Sequence, residues 1–210
     1  MGYGFLDIAV TPAVRAVQVE RGVDHVWQDF KGHREFDHFG EDEAAFIESR
    51  DSFYMATVSE TGWPYIQHRG GPRGFLKLID DQTLAFADYR GNLQYISAGN
   101  LSADSRVCLF LMDYAHKARL KIYARVEKVN LEDDPVLTEL VTPRGYKAKP
   151  ERVFRLHLES FDWNCPQHIT PRFTEGEIAQ AVQPLRDQLA QLESENAELR
   201  ARLENSGDKR

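Results

Sequence analysis

Three cations, Arg69, Arg73 and Lys77, fall within one glycine-rich stretch, RGGPRGFLK. Arginine presents a planar fork of donors and lysine a point charge, the groups that hold a phosphate. Arg73 and Lys77 are an even number of residues apart, so on a regular strand they share a face. Gly70, Gly71 and Gly74 let the backbone bend and come close to a ligand. The pattern is neither a Walker loop nor a dinucleotide fingerprint, since GxxxxGK and GxGxxG are both absent from it. Further on, Asp88-Tyr89-Arg90-Gly91-Asn92 stands where a strand-like run gives way to a helical one. The first N–H groups of such a helix make an anion site. The amides of Asn92 and Gln94 add donors for a phosphate, a hydroxyl or a ring edge, although Asn92 alone reads as the helix cap. A second element, WNCPQHITPR from Trp163 to Arg172, contributes a large aromatic and another cation. The chemistry these residues share is binding of a planar, phosphorylated ligand. The plainer alternatives are a solvated basic hairpin for the cations and core packing for Trp163.

No other cluster offers comparable chemistry. Ser97 has no histidine and acid spaced for a nucleophilic triad. His68 is either a proton donor on the basic hairpin or an ordinary polar strand residue. His25, His33 and His38 lack the i, i+4 spacing of metal ligands. Cys108 and Cys165 form neither a disulfide framework nor a zinc pattern. The formal charge of −7 argues against nucleic acid and membrane surfaces, where a basic face supplies most of the affinity. A small anion fits the local basic clusters better, the second of them being Lys117, Arg119 and Lys121. Neither a signal-peptide pattern nor an apolar run of membrane length is present, which predicts a protein of the reducing cytoplasm.

Positioning these residues calls for a β-rich frame. Thr11-Pro12 opens a helix that ends before Gly22, and Glu41 to Arg50 has helical spacing. Strand-like runs follow at Phe53–Ser59, Pro64–His68, Gly74–Ile79 and Thr83–Asp88, read as a meander, then a short helix at Asn92–Gly99. Val107–Met112, Leu120–Val129 and Val153–Trp163 complete the set. Strands this closely spaced predict an antiparallel barrel. The tail differs in kind. Thr174 and Glu177 form a capping box, and beyond it leucines at Leu185, Leu192 and Leu199 take the d positions of a heptad. Val182, Leu189, Asn196 and Leu203 take a. A single asparagine at a fixes two strands and their register, and Glu195 at g attracts Arg200 at the following e. Pro184 threatens a kink near the start. A dimerising coiled coil is predicted, with a helix lying on its own barrel as the alternative.

From about Glu41 to Phe173 the order of elements resembles the pyridoxamine 5′-phosphate oxidase-like FMN-binding split barrels. The elements that carry the resemblance are the apolar helix, the basic R…K strand and the F-x-D strand end (Phe86 to Asp88). The G-N-x-Q helix start (Gly91 to Gln94) and the closing W-x(8)-R element (Trp163 to Arg172) complete it. The resemblance implies an α+β fold, mainly β: an antiparallel split β-barrel over residues 41–173, to which the residue patterns add a preceding arm, 1–40, and a following coiled-coil helix, 174–210. It implies FMN at the interface of a homodimer. Arg69 or Arg73, Lys77, Asn92 and Gln94 hold the phosphate, the backbone at Ala87 and Asp88 faces the flavin, and Arg119, Trp163 and Arg172 supply further contacts. The chain departs from vitamin B6 oxidases where they bind substrate, having Gln167-His168-Ile169-Thr170-Pro171 there, and it has Leu93-Gln94 in place of an Arg-Lys pair. The expected activity is FMN-dependent oxidoreduction of a small molecule, with NAD(P)H as the candidate donor, and not vitamin B6 oxidation. A non-catalytic flavin- or haem-binding sensor and a deazaflavin-dependent reductase are the alternatives.

Overall fold

The computed structural model describes residues 4–28, 37–163 and 166–207; His33 and Cys165 lie outside them. The chain forms two compact units, Met1–Ile169 and Thr170–Arg210. In the first, three short helices, α1 (Phe5–Ala9), α2 (Pro12–Glu20) and α3 (Asp24–Gln28), precede α4 (Glu41–Glu48). Then come β1 (Ser52–Val58), β2 (Pro64–Gly70), β3 (Lys77–Asp80), β4 (Thr83–Tyr89) and α5 (Ile96–Ala103). They are followed by β5 (Arg106–Asp113), β6 (Ala118–Val129), α6 (Pro135–Val141) and β7 (Pro150–Trp163). Among the described residues the strands make one antiparallel sheet in the order β2-β1-β5-β6-β7-β4-β3.

Alternation builds the inside of this sheet. Phe53, Met55 and Thr57 of β1, Val107, Leu109 and Leu111 of β5, and Leu120, Ile122 and Ala124 of β6 are buried, while the residues between them face outward. Four phenylalanines lock the interior. Phe53 stacks on Phe75 at 5.5 Å, and Phe86 meets Phe53 and Phe154 edge-on at 5.2 and 5.4 Å. Burying each ring contributes about 1.5–3 kcal/mol. β4 is buried on both faces, because α6 covers its outward Ala85 and Ala87 with Leu137 and Val141. α6 is not among the elements expected from the sequence; its start is set by Asp134, the acceptor of the Leu137 N–H at 3.0 Å, and by Pro135 in the first turn.

The meander expected through β2, β3 and β4 does not form. β2 pairs with β1 and β3 with β4, so the two supposed halves of the basic hairpin end at opposite edges of the sheet. The glycine-rich stretch is the crossing between those edges. Gly71 and Gly74 donate backbone hydrogen bonds to the carbonyls of Asp51 and Arg50, both at 2.9 Å, and Phe75 and Leu76 then plunge into the core. Gly74 has φ +73°, and a Cβ there would lie 3.0 Å from the Glu48 carbonyl oxygen. Its glycine therefore serves the crossing and not a ligand.

α4 closes one end of the sheet. Glu43 accepts from the Gly40 N–H at 2.9 Å and from the Trp163 indole at 2.6 Å, and Phe46 meets Trp163 edge-on at 4.8 Å. Just after α4, Arg50 donates to Asp113 at 2.8 Å and to the Met112 carbonyl at 2.9 Å. At the N-terminus Phe5 stacks on Tyr123 of β6 at 4.6 Å. The second unit consists mainly of α7 (Glu175–Gly207). The capping box forms as read: the Glu177 N–H donates to the Thr174 hydroxyl at 3.2 Å and Glu177 accepts from the Thr174 N–H at 2.7 Å. The helix runs through Pro184.

Burial pushes the Asp113 carboxyl up, but hydrogen bonds from His116 and the charge of Arg50 outweigh it and hold the group below its usual range. A carboxyl depressed in the folded state contributes stability above its unfolded pKa, roughly 3.9, that is lost as pH falls through the folded value. Asp113→Asn should lower stability at pH 7 by about 1–3 kcal/mol, several degrees in Tm. It should also flatten the fall of Tm between pH 4 and pH 2. An acid limb identical to that of the parent would remove Asp113 from the linkage.

Candidate functional site

The two edges of the sheet approach each other where Arg69 of β2 reaches Asp88 of β4. Nη1 of Arg69 donates to Oδ1 of Asp88 at 2.6 Å, with the side chains only 12 % and 8 % exposed. Period 2 explains the placement. Tyr65, Gln67 and Arg69 share the half-buried face of β2, and Asp88 ends the inward row that Leu84 and Phe86 begin. The guanidinium lies 5.8 Å from the Phe86 ring centre and 5.6 Å from that of Phe154. The β4–β7 register sets Arg152 opposite Asp88, and its Nε stands 3.3 Å from Oδ2. Beside this trio Glu151 accepts from the Tyr95 hydroxyl at 3.1 Å and faces Arg90 at 3.8 Å. The hydrogen bond to Glu151 raises the pKa of Tyr95 above the ordinary phenol value.

The loop into α5 is strained. Leu93 and Tyr95 have φ of 65° and 51°, a left-handed conformation costing roughly 1–2 kcal/mol each outside glycine. Asn92 folds this turn: its Oδ1 accepts from the Gln94 N–H at 3.2 Å and its Nδ2 donates to Oε1 of Gln94 at 3.1 Å. Asn92 is therefore not the cap. The helix begins at Ile96, later than the expected Asn92, and Tyr95 is its N-cap. Its first intrahelical bond runs from the Gly99 N–H to the Tyr95 carbonyl at 2.8 Å, leaving the N–H groups of Ile96, Ser97 and Ala98 without an intrahelical acceptor. The hydroxyl of Ser97 donates to Gln67 at 2.8 Å, and Asn100 donates to Thr57 at 3.0 Å, which key the helix to β2 and β1.

Between these parts lies a shallow open cleft, lined by Gln67, Arg69, Asp88, Asn92, Gln94 and the first turn of α5 among others. One donor of a lining residue, Nε of Arg69, is buried with no hydrogen-bond acceptor. Arg69, Arg90 and Arg152 face Asp88 and Glu151, so one positive charge is left over. A spare buried donor, a positive balance and open helix N–H groups suit an anion.

Of the residues singled out in the sequence, Arg69, Asp88, Asn92 and Gln94 come together here. Arg73, Lys77, Arg119 and Trp163 lie apart from the cleft. Arg73 is exposed in the crossing loop. Lys77 registers with outward-facing Ala85, which puts it on the opposite face from Asp88 and undoes the shared face expected for Arg73 and Lys77. Arg119 sits on the outer face of β6 with its guanidinium 5.3 Å from the Phe110 ring centre. Trp163 pins α4 through Glu43 and Phe46. Arg172 belongs to the second unit. Gln67, Tyr95, Glu151 and Arg152 were missed. Gln67 was legible as the alternate neighbour of Arg69, whereas Glu151 and Arg152 depend on the β4–β7 register.

Residues 39–163, more than half of the chain, match the pyridoxamine 5′-phosphate oxidase family. The chain belongs to that family. The matched span contains α4, the whole sheet and the cleft, and the antiparallel sheet with its helices is the family's split barrel. The preceding helices and α7 lie outside it. Solved structures similar to this chain include HupZ of Group A Streptococcus, with 16 % identity over 64 % of this chain and 100 % of that one (TM-score 0.49). An FMN-binding protein of Syntrophomonas wolfei subsp. wolfei has 14 % identity over 70 % and 97 % (TM-score 0.47). General Stress Protein 26 of Bacillus anthracis str. Sterne has 12 % over 62 % and 92 % (TM-score 0.44). No curated protein matches the sequence.

Removing Asp88 leaves Arg69 without its carboxylate and Arg152 with only Glu151, 3.6 Å away. Asp88→Ala should cost about 3–5 kcal/mol, a fall in Tm of roughly 10 °C for a chain this long. The double change Arg69→Met with Asp88→Leu should recover much of it, since apolar groups of similar volume replace a buried pair at little loss. Thermal denaturation decides; a Tm unmoved by Asp88→Ala would mean that the pair does not close the sheet.

Proposed function

We propose that the protein is an FMN-binding flavoprotein, acting as an oxidoreductase on a small molecule and assembled as a homodimer. The observation that carries this reading is the cleft beside α5, where a phosphate finds the N–H groups of Ile96, Ser97 and Ala98, which have no intrahelical acceptor, with the cation of Arg69 in the same lining. The amides of Asn92 and Gln94, both exposed at the rim, add donors for the phosphate or the sugar-like chain. Bound there, the flavin supplies two-electron redox chemistry, and the protein supplies binding, orientation and exclusion of water. Asp88 takes no part in holding the anion. It fixes the Arg69 guanidinium in one orientation by accepting from Nη1 at 2.6 Å.

Residues that lie apart from the cleft suit the dimeric form of this reading. Tyr54, Ala56, Cys108, Phe110 and Met112 form a partly exposed apolar face on the outside of β1 and β5, with Arg119 beside it. A second barrel laid on this face buries it, and Arg119 of one copy then serves the flavin of the other. The segment Gln167 to Pro171 does not have the arginine and histidine two residues apart that bind substrate in vitamin B6 oxidases, so a different small-molecule substrate is assigned, with NAD(P)H as electron donor.

Absorbance of purified protein and FMN titration of stripped protein test the reading. Yellow protein with tight FMN uptake is expected. Asn92→Ala with Gln94→Ala should weaken uptake by about tenfold or more, since each hydrogen bond to a charged group contributes roughly 1.5–3 kcal/mol. A Soret band, or colourless protein indifferent to FMN, would overturn the flavin assignment. FMN-loaded protein that no reduced nicotinamide can bleach would keep the cofactor and remove this donor.

A further inference from the structure

The second unit carries an interaction surface that the redox reading does not use. Along α7, Leu185, Leu189, Leu192 and Leu199 are 53–66 % exposed, far more than an apolar side chain keeps when it has found its place. Together with Asn196 they recur at alternating spacings of four and three, the narrow stripe of a coiled-coil seam and not the broad face of a helix lying on a globular core. A shallow groove runs beside them, bounded by Leu189, Leu192, Glu193, Asn196, Ala197 and Arg200. The stripe continues over the capped, unbroken helix, because Pro184 lies before Leu185 and the helix passes through it.

We propose that α7 pairs with α7 of a second copy of this chain, as a parallel, in-register, two-stranded coiled coil. Asn196 decides the partner and the direction. It interrupts the apolar seam at an a position, where a buried amide needs an amide opposite it. Only an identical helix running parallel and in register sets Asn196 against Asn196; an antiparallel mate sets it against a leucine at d. The flanking charges agree. Glu195 at g meets Arg200 at e of the mate, and two-fold symmetry makes the contact twice. A longer seam of leucines at every a and d position would leave oligomer number open, and the one asparagine closes it at two.

A parallel coil also starts both copies of the first unit from helix ends about 10 Å apart, the spacing of packed helices. That proximity raises the effective concentration of one barrel for the other into the millimolar range, roughly. This consequence rests on the dimeric flavoprotein reading; the coil itself does not, and its test needs no flavin.

The test uses the full chain with Cys108→Ser and Cys165→Ser, so that no native thiol contributes. Leu199→Cys puts a thiol at a d position, and Ser194→Cys puts one at f, on the outer side of the same helix. Under mild oxidation Leu199→Cys should convert almost wholly to a disulfide-linked dimer, while Ser194→Cys should not. Adding Glu195→Arg to Leu199→Cys should slow the cross-linking severalfold, and adding Arg200→Glu as well should restore it. Failure of Leu199→Cys to cross-link would overturn the coil. Equal cross-linking of Ser194→Cys would do the same, by showing random collision in place of a fixed register. A barrel dimer with separate tails gives the first failure and leaves FMN uptake intact, which keeps the two readings distinguishable.

Discussion

The pair formed by Arg69 and Asp88 is the constraint on which the barrel turns. β2 stands at one edge of the sheet and β4 next to the other, and no backbone ladder joins them. A charged contact at 2.6 Å, laid over the rings of Phe86 and Phe154, spans the split in its place. Burying two charges costs desolvation that their attraction only partly repays, so the pair adds less to stability than its geometry suggests. What it contributes is specificity of position. Arg152 on the other oxygen of the carboxylate ties β7 into the same point, and three strands are registered at the mouth of the cleft.

That arrangement gives Arg69 two duties. One nitrogen holds the barrel shut, and another, Nε, stays buried with no acceptor. The same economy appears at α5, where the side chains of Ser97 and Asn100 fasten the helix to β2 and β1 while its first turn lines the cleft. The strained turn before it, with Leu93 and Tyr95 both left-handed, is held by the Asn92–Gln94 contacts. Strain of this kind persists where surrounding structure over-determines it, and it gathers at ligand sites.

Glycines that looked like a phosphate cradle turn out to be the means of crossing from one edge of the sheet to the other. Gly74 is required by its backbone angle and by the nearby Glu48 carbonyl. Trp163 has a comparable history: its indole is spent on Glu43, the residue that also caps α4 through the Gly40 N–H. In both cases a residue type suited to ligand chemistry is consumed by the construction of the barrel.

The strands, the capped helices at Pro12 and Glu175 and the heptads of α7 were legible in the sequence, because periodicity and capping depend only on residues a few places apart. Family membership was legible for the same reason, through the order of such elements. Arg69, Asp88, Asn92 and Gln94 were identifiable as polar residues around one hairpin and one turn, although not the manner of their meeting. Only the tertiary structure decided which strands are neighbours, and with that the face on which each cation lies. Lys77 faces outward and Arg152 stands against Asp88 because of registers between strands remote in sequence. A slip of one residue in such a register reverses every side chain on the strand, and no local pattern in this chain carries that information.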